Sequence, residues 1–418
     1  MAKRRVNKKS RAYRNRVRRR NRRILFAVEL IVLFLVAGAL FIFAYMNKQM
    51  SKVNQQELNL ENVGVNESAL EASQNELKGT QLIALVGLDS RLGSDGTPIA
   101  EDSQNGDTMI IACIDNDNKQ IRLCSVFRDT YLNTFAYGDL SSDYYTKANA
   151  AYAYGGPEQM LTMLNKNLDL NITDYATVNF KVLTNVIDLL GGLDIDMTRE
   201  EVVHMNNYNV ATSAAAGVEY QEVTMPSTDE FDGAMTMTFH LNGSQSVSYA
   251  RIRKTDGGDF RRAARQRLLI QKIFEKVKSM DLTTLNSIFD AVCPEVTTSM
   301  QSSDMWKLGL ALLTYNMGDQ GGFPFTHFED EATLMDLLGS DCVLPVTLAT
   351  NVKQLHDFLF PGIDYSVSDV VQGYSDAISE KSGFYESDIP ATSENGEIPT
   401  YNAAEDPNMN GTAAANEG

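Results

Sequence analysis

The chain has 418 residues, with 37 lysines and arginines against 54 aspartates and glutamates, and a formal net charge of −17 at pH 7. Its length allows one large domain or two ordinary ones, and 43% hydrophobic residues are enough for a sizeable core. The distribution of charge excludes a uniformly acidic protein. Residues 1–23 hold thirteen basic side chains and no acid, which leaves 24 basic residues for the rest of the chain.

A membrane-spanning helix is predicted directly after this basic tail. Residues 24–46 read "ILFAVELIVLFLVAGALFIFAYM" and contain one charge, Glu29. About 20 apolar residues in a helix cross the hydrocarbon core of a bilayer. A cleaved secretory signal would have a shorter apolar stretch, of roughly 7–15 residues, and a small-residue cleavage site. We therefore predict a single uncleaved transmembrane helix.

The basic tail also predicts the orientation in the cell membrane. Positive charge next to a span stays on the inside, so residues 1–23 are predicted to be cytoplasmic and the chain after residue 46 to be extracytoplasmic. A basic tail can also bind nucleic acid. This one has no helix-turn-helix pattern and no zinc ligands, so we expect it to rest on anionic lipid, with no nucleic-acid partner.

The next segment changes from polar to strongly apolar sequence. Residues 47–79 are polar and free of proline, and we interpret them as a stalk. The apolar run at 82–86, which Gly87 ends, is typical of a buried strand. Residues 107–114 and 120–127 predict a β-hairpin around "DNDNK".

The four cysteines are expected to be free. An even number outside the membrane permits disulfides, but the hairpin register places Cys113 and Cys124 near, not opposite, each other. No CxxC motif or Cys/His cluster indicates zinc. We predict four buried thiols at Cys113, Cys124, Cys293 and Cys342.

Strands and helices then alternate, which indicates an α/β fold. Apolar spacing predicts helices at 157–168 and 181–192, with strands at 175–180 and 193–197. Residues 210–231 are small and polar and are interpreted as a loop. Further elements are helices at 242–251, 262–280, 282–292, 303–317 and 351–360 and a strand at 343–348.

The predicted fold class is therefore a layered α/β/α domain, in which helices flank a central mixed β-sheet and a single transmembrane helix precedes it. We place this domain at residues 80–372. Residues 380–418 are rich in Ser, Glu, Asn and Ala with few large apolar residues, and predict a disordered acidic tail.

Positive charge is concentrated at residues 248–267, "SYARIRKTDGGDFRRAARQR", which hold six arginines and one lysine. The Gly-Gly turn should precede a helix with Asp259 as its N-cap. Arginines in the first turn oppose the helix dipole, whereas a bound phosphate would reverse that effect. Arg251 and Arg253 would face one side if this segment were extended, and would diverge on a helix. The alternative is a solvated basic surface or internal salt bridges.

Acids and arginines also flank the predicted strands. Asp89 and Arg91 follow one strand, Asp107 precedes the next, and Arg128 follows the third. Ligands of α/β sheets bind where strands end. Two carboxylates beside arginines would suit Mg²⁺ held between acids and phosphate oxygens.

Six stretches in order resemble the LytR–CpsA–Psr family of cell-envelope glycopolymer ligases: "GLDSR", "GDTMIIACID", "SVFRDTYL", "KANAAYAYGG", "LLGGLDIDM" and "YARIRKTDGGDFRRAARQR". The resemblance covers about residues 80–372. It also includes the order of the predicted parts, which are a basic cytoplasmic tail, a membrane anchor and an external α/β domain. It implies transfer of a glycopolymer from a polyprenyl-pyrophosphate carrier to the C6 hydroxyl of N-acetylmuramic acid in peptidoglycan, with release of polyprenyl phosphate. It also implies an apolar tunnel for the lipid.

The resemblance assigns residue roles by position. It implies that arginines and one glutamine bind the pyrophosphate, and that Asp89 and Asp107 lie at the Mg²⁺ (or Mn²⁺). Asp89 is also our candidate for the base that activates the sugar hydroxyl. The head-group positions are Arg91, Arg128, Arg251, Arg253, Arg262, Arg265 and Gln266.

The sequence departs from the family pattern at two places. Asn105-Gly106 stands where Arg-Ser is usual, so one clamp arginine is missing, and Arg91 or Arg261 is the candidate to replace it. Phe127 stands where proline is usual. Two other functions stay open at this point: a pyrophosphatase on the same lipid substrates, and an envelope-linked transcriptional regulator.

Overall fold

The computed structural model describes residues 54–56, 58–59, 62–88, 106–228, 230–281, 283–285, 287–288 and 295–388. The predicted cytoplasmic tail and transmembrane helix lie outside these residues, as do Asp89, Arg91 and Cys293. Within the described ranges, no helix is both long enough and apolar enough to cross a bilayer.

The strands are β1 Asn54–Gln55, β2 Thr80–Leu88, β3 Gly106–Asp115, β4 Gln120–Val126, β5 Tyr131–Asn133, β6 Tyr145–Lys147, β7 Asp174–Val178, β8 Leu193–Thr198, β9 Thr236–Leu241, β10 Thr297–Thr298, β11 Asn316–Phe323, β12 His327–Phe328 and β13 Leu344–Pro345. The helices are α1 Glu67–Gln74, α2 Ala150–Leu168, α3 Phe180–Leu189, α4 Arg199–Ala216, α5 Gly243–Tyr249, α6 Gly258–Lys278, α7 Ser302–Leu312, α8 Glu331–Leu338, α9 Leu348–Leu359 and α10 Asp369–Ser382. A 3-10 turn follows at Glu386–Asp388.

Seven strands form a mixed sheet in the order β1-β10-β7-β2-β3-β4-β11. Strand β3 is antiparallel to both β2 and β4, whereas β2 pairs with β7 and β4 with β11 in parallel. Gly87 is opposite Thr108, and Met109 is opposite Val126. The last residues of β2, the first residues of β3 and the last residues of β4 therefore lie side by side at the same end of these three strands.

Helices cover both faces of the sheet, which confirms the predicted α/β/α layering. Side chains of β3 alternate between the faces: Ile111 joins the core under α2, α9 and α10, and Ile110 joins the core under α6 and α7. Each fully buried aliphatic side chain of this kind contributes about 2 kcal/mol. The β3–β4 hairpin confirms the predicted register, and Cys113, Cys124 and Cys342 are free and buried.

A second core lies beside the sheet. Strands β8 and β9 pair antiparallel, and α3, α4 and α5 pack with them around buried residues such as Ile195, Met205 and Val247. This core also includes Ile252, three residues after the end of α5, and so helps to fix the backbone that carries the neighbouring arginines.

Folded elements lie beyond both ends of the predicted domain at residues 80–372. The described part of the predicted stalk is folded onto the domain: Val63 and Ala69 are buried, Asn66 contacts Asp169, and β1 pairs with β10. The first described strand of the folded domain, β1, begins at Asn54. At the other end, α10 continues past residues 372 and 380, because Val371 and Ile378 are buried in the core. The remaining predicted tail, from residue 389, lies outside the described residues.

Two internal predictions are wrong. Residues 210–216 are the end of α4, which a Thr198–Glu201 capping box starts and whose buried side includes polar residues such as Asn209 and Thr212. Residues 316–317, predicted as helix, begin β11, a glycine-rich strand at the sheet edge. Most of the predicted helix at 282–292 lies outside the described residues.

Candidate active site

A polar cavity of about 130 Å³ opens where β2 ends and β3 begins. Gly87 and Thr108, which are paired across these strands, form its floor, and helices from the second core provide one wall. The side chains that give the cavity its chemistry are Asp107, Tyr208, Arg251, Arg253, Arg262 and Gln266.

Arg251 and Arg253 reach this cavity together. An Asn242–Gln245 capping box starts α5, which ends at Tyr249, so both arginines follow the helix rather than continue it. Both line the cavity, as the non-helical interpretation requires. The Arg251 guanidinium lies 4.3 Å from the centre of the Phe180 ring and donates to Thr212 Oγ1 at 2.8 Å, and such cation–π contacts orient a guanidinium.

Asp259 is not the N-cap of α6. Gly257, at φ 80°, is the N-cap, and it has no side chain with which to cap the helix. Asp259 lies in the first turn, where its carboxylate accepts from Arg262 at 2.8 Å and lies 3.5 Å from Arg253 and 3.6 Å from Arg128. It therefore holds three cations together, at least two of which line the cavity.

Arg128 is surrounded by carboxylates. It donates to Asp107 Oδ1 at 3.1 Å and to Asp129 Oδ2 at 3.2 Å, with Asp259 close by. Burial alone would lower the pKa of Arg128, but these three carboxylates outweigh burial and raise it. Arg128 thus stays charged next to the cavity.

Arg262 is the most buried cation of the cavity, at 4% exposure. Its Nη2 donates to the backbone carbonyl of Asp107 at 3.2 Å. Burial lowers the pKa of Arg262 to about 10, assisted by the charges of Arg253 and Arg128, while Asp259 and Asp107 oppose the shift. The guanidinium is still protonated at neutral pH, in a site where it has lost most of its water.

Most of the predicted site residues within the described ranges come together here: Asp107, Arg251, Arg253, Arg262 and Gln266 line the cavity, and Arg128 contacts Asp107. Arg265 lies elsewhere, buried against Glu201. Asp89 and Arg91 lie outside the described residues.

The sequence did not predict Asp259 as a partner of the arginines. It also did not predict that the rings of Phe180 and Tyr208 line the cavity beside Arg251. Asp259 stood within the arginine-rich segment and could have been paired with Arg262 by its i,i+3 spacing. Tyr208 and Thr212 lie on α4, whose last residues fall within the predicted loop at 210–231, and no sequence signal points to either side chain.

The cavity offers few protein ligands to a divalent metal. No cluster of three or more His, Cys, Asp or Glu side chains suited to a metal occurs among the described residues. Asp107 nevertheless contributes a carboxylate to the cavity wall. Mg²⁺ is often held by one or two carboxylates plus substrate phosphates, not by an all-protein cage, so this donor set fits a metal that arrives with a phosphorylated ligand.

The fold and cavity define an α/β/α protein with an arginine-rich cavity at the strand ends. The chain belongs to the LytR–CpsA–Psr family, because the sequence profile of the LytR_cpsA_psr family matches residues 40–319.

Two relatives share one name, polyisoprenyl-teichoic acid–peptidoglycan teichoic acid transferase TagU. The protein of Halalkalibacterium halodurans is 28% identical over 54% of this chain, and the chain spans 63% of that relative. The protein of Bacillus licheniformis is 25% identical over 70% of this chain and 82% of its own length. The crystal structure of gbs0355 from Streptococcus agalactiae has a TM-score of 0.53 at 21% identity, covering 73% of this chain and 97% of that one, and supports the fold.

Proposed function

We propose that this protein is a phosphotransferase that moves a glycopolymer from a polyprenyl-pyrophosphate carrier onto the C6 hydroxyl of N-acetylmuramic acid in peptidoglycan, releasing polyprenyl phosphate. The observation that carries the proposal is the convergence of Arg251, Arg253 and Arg262 on one cavity. Family membership and the names of its relatives supply the reaction class and make a teichoic acid the first polymer to test.

The site suits the cleavage of a phosphoanhydride. Negative charge increases on the bridging and terminal oxygens as the bond breaks, and catalysis of phosphoryl transfer depends mainly on positioning and on stabilising that charge. Arg251, Arg253 and Arg262 would bind the two phosphates from three sides, and Gln266 would add a hydrogen bond. Arg128 would act beside them, held in place by Asp107 and Asp259.

A divalent metal and a base complete the proposed machinery. Asp107, with Asp89, which follows the last residue of β2 in the sequence, would hold Mg²⁺ or Mn²⁺, which would neutralise charge on the phosphate oxygens. Asp89 is the candidate base for the sugar hydroxyl. Because Arg128 shares Asp107, loss of either side chain should disturb both the metal and the phosphates.

We also propose an anchored, extracytoplasmic enzyme. The apolar sequence at 24–46 and the basic tail before it support a single span with the N-terminus in the cytoplasm. Anchoring keeps the folded domain near its lipid substrate and raises the effective concentration of both. Peptidoglycan and the bilayer would then be its partners, with no role for nucleic acid.

The test uses the full chain in detergent or liposomes, with lipid-pyrophosphate teichoic acid, peptidoglycan and Mg²⁺. The wild type should form peptidoglycan-linked polymer, and Arg251→Ala and Arg262→Ala should each lower the rate about 100-fold or more. Lys353→Ala removes a surface cation, in a pair with Asp357, and should have no effect. Unchanged transfer by both arginine variants would contradict the proposal. Polyprenyl phosphate without linked polymer would indicate a hydrolase instead.

A further inference from the structure

Arg265 and Glu201 form a buried ion pair that lies behind the cavity. Both Nε and Nη2 of Arg265 donate to Glu201 Oε1, at 3.1 and 2.8 Å. The two residues are 2% and 1% exposed, so the pair is dry. The other carboxylate oxygen of Glu201 accepts from the backbone nitrogen of Thr198 in the capping box of α4. One carboxylate therefore joins the start of α4 to α6.

The same guanidinium also holds the backbone that carries the cavity arginines. Arg265 Nη1 donates to the carbonyl oxygen of Ile252 at 3.1 Å, and Nη2 donates to Thr255 Oγ1 at 2.8 Å. Ile252 lies between Arg251 and Arg253, and its side chain is buried in the second core. Residues 250–257, all of them described, lie outside the helices and strands. The Arg265 contacts therefore act with the turn bonds from Arg251 N to Ser248 O and from Ile252 N to Tyr249 O, and with the burial of Ile252, to hold the segment.

A buried ion pair contributes little to stability compared with apolar packing. The hydrogen bonds between a guanidinium and a carboxylate are, however, strongly directional, so they can fix the orientation of both groups. The Arg265 contacts hold the chain on both sides of Arg253, at the backbone carbonyl of Ile252 and at the side-chain hydroxyl of Thr255. Arg265 does not itself line the cavity, whereas Arg251, Arg253 and Arg262 do.

We infer that Arg265 is a positioning residue, which with Glu201 holds Arg251 and Arg253 facing the cavity and does not bind the pyrophosphate itself. This inference rests on the proposed function only for the identity of the ligand. It replaces the pyrophosphate-binding role that the family resemblance implies for Arg265.

Pyrophosphate binding separates the two roles. Glu201 is an anion, so if Arg265 bound phosphate, Glu201→Gln would leave affinity unchanged or increase it. If the pair positions the segment, Glu201→Gln and Arg265→Gln should each weaken binding of inorganic pyrophosphate about tenfold, and the double variant should be no weaker than either. Transfer should fall by up to about 100-fold, as expected for misplaced catalytic groups. Arg265→Lys, which keeps the charge, should fall between wild type and Arg265→Gln.

A second measurement does not depend on activity. The rate at which phenylglyoxal modifies Arg251 in the full chain, read by mass spectrometry, should rise several-fold in Glu201→Gln without ligand. If the wild type fails to transfer polymer while Glu201→Gln still shows this rise, the proposed function is overturned and the inference is kept. Unchanged Arg251 modification and unchanged pyrophosphate affinity in Glu201→Gln, with weaker binding in Arg265→Lys, would overturn the inference.

Discussion

Arg262 donates to the backbone carbonyl of Asp107 at 3.2 Å, so the first turn of α6 is joined directly to the start of β3, 155 residues earlier. The Arg262 side chain also holds Asp259 at 2.8 Å. The Asp107 carbonyl and the Asp259 carboxylate thus hold the buried Arg262 guanidinium beside the start of β3. Burying this cation costs folding free energy, which an anion bound under the proposed function would offset.

Arg262→Met should therefore stabilise the ligand-free protein. A pKa lowered from 12.5 to about 10 corresponds to about 3 kcal/mol of unfavourable interaction in the folded state. Methionine fills similar space without the charge, and Asp259 keeps Arg128 and Arg253 as partners. We expect the free energy of unfolding to rise by about 1 kcal/mol, while pyrophosphate no longer raises the melting temperature.

Lys353→Met is the matched control, because Lys353 is a half-exposed cation in a surface pair with Asp357. Such pairs contribute little, so neither stability nor pyrophosphate binding should change measurably. Destabilisation of Arg262→Met by more than about 2 kcal/mol would mean that its two hydrogen bonds outweigh the desolvation.

Asp259→Asn should tighten pyrophosphate binding. Asp259 partly neutralises Arg128, Arg253 and Arg262, so its removal adds one net positive charge within a few ångströms of the phosphates. At an effective dielectric constant near 20 this is worth about 1 kcal/mol or more, or at least fivefold in affinity by titration calorimetry. Asp256→Asn, at an exposed position in the same turn, should change affinity less than twofold. Weaker binding by Asp259→Asn would show that the carboxylate's main role is to hold the arginines in place.

Local patterns account for what the sequence could predict. The β3–β4 hairpin follows from two apolar runs around a polar turn, and α6 follows from its apolar stripe at Leu268, Leu269 and Ile273. The arginine segment could be identified as a candidate anion site because arginines at a helix start oppose the helix dipole. The alternative of internal salt bridges applies to Arg265, which pairs with Glu201.

Non-local contacts account for what could not be predicted. Most buried side chains of α4 are polar, despite Val202 and Met205. Asn206 and Asn209 bond the backbone of the 221–223 segment, so no continuous apolar stripe marks that helix. Strand β11 is rich in glycine and acquires its structure by pairing with β4 about 200 residues away. The separate orientation of Arg265 depends on Glu201, 64 residues earlier, and neighbouring arginines give no local sign of it.

Gly322→Ala should destabilise the protein through Phe127, the residue that stands where the family usually has proline. A Cβ at Gly322 would lie 2.4 Å from Phe127 Cζ. The Phe127 ring cannot easily withdraw, because it packs edge-on against Phe260 of α6 at 4.6 Å. We expect a loss of about 2 kcal/mol in unfolding free energy, with reduced activity because Arg128 is adjacent.

The double variant Gly322→Ala, Phe127→Leu should recover part of that loss, since the clashing ring is gone. Gly373→Ala in α10 is the control: no described neighbour lies within 4 Å of the point that the alanine Cβ would occupy, so alanine should stabilise the helix by roughly 0.5–1 kcal/mol. Equal effects of the two glycine substitutions would refute the steric argument.

A fragment that begins at Val53 should be more stable than one that begins at Thr80. The longer fragment keeps the β1–β10 pairing, the buried Val63 and Ala69, and the bond from Asn66 to Asp169. Loss of the 53–79 segment exposes core apolar surface and removes partners of a buried carboxylate, together about 3 kcal/mol or more. Thermal unfolding of both fragments measures the difference, and equal melting temperatures would restore the interpretation of this segment as a stalk.

The buried thiols should make the protein lose stability at alkaline pH. Burial raises the pKa of both Cys113 and Cys124 to about 12, from an ordinary value of 9.0. The folded state therefore retains protons that the unfolded chain releases, so this contribution is complete below pH 9 and is lost progressively between about pH 9 and 12. Each thiol should cost about 1.4 kcal/mol per pH unit in that window. Urea unfolding at pH 8 and pH 10 should show a smaller decrease for Cys124→Ala than for the wild type, and an identical decrease would mean that the Cys124 thiolate is not excluded from the fold.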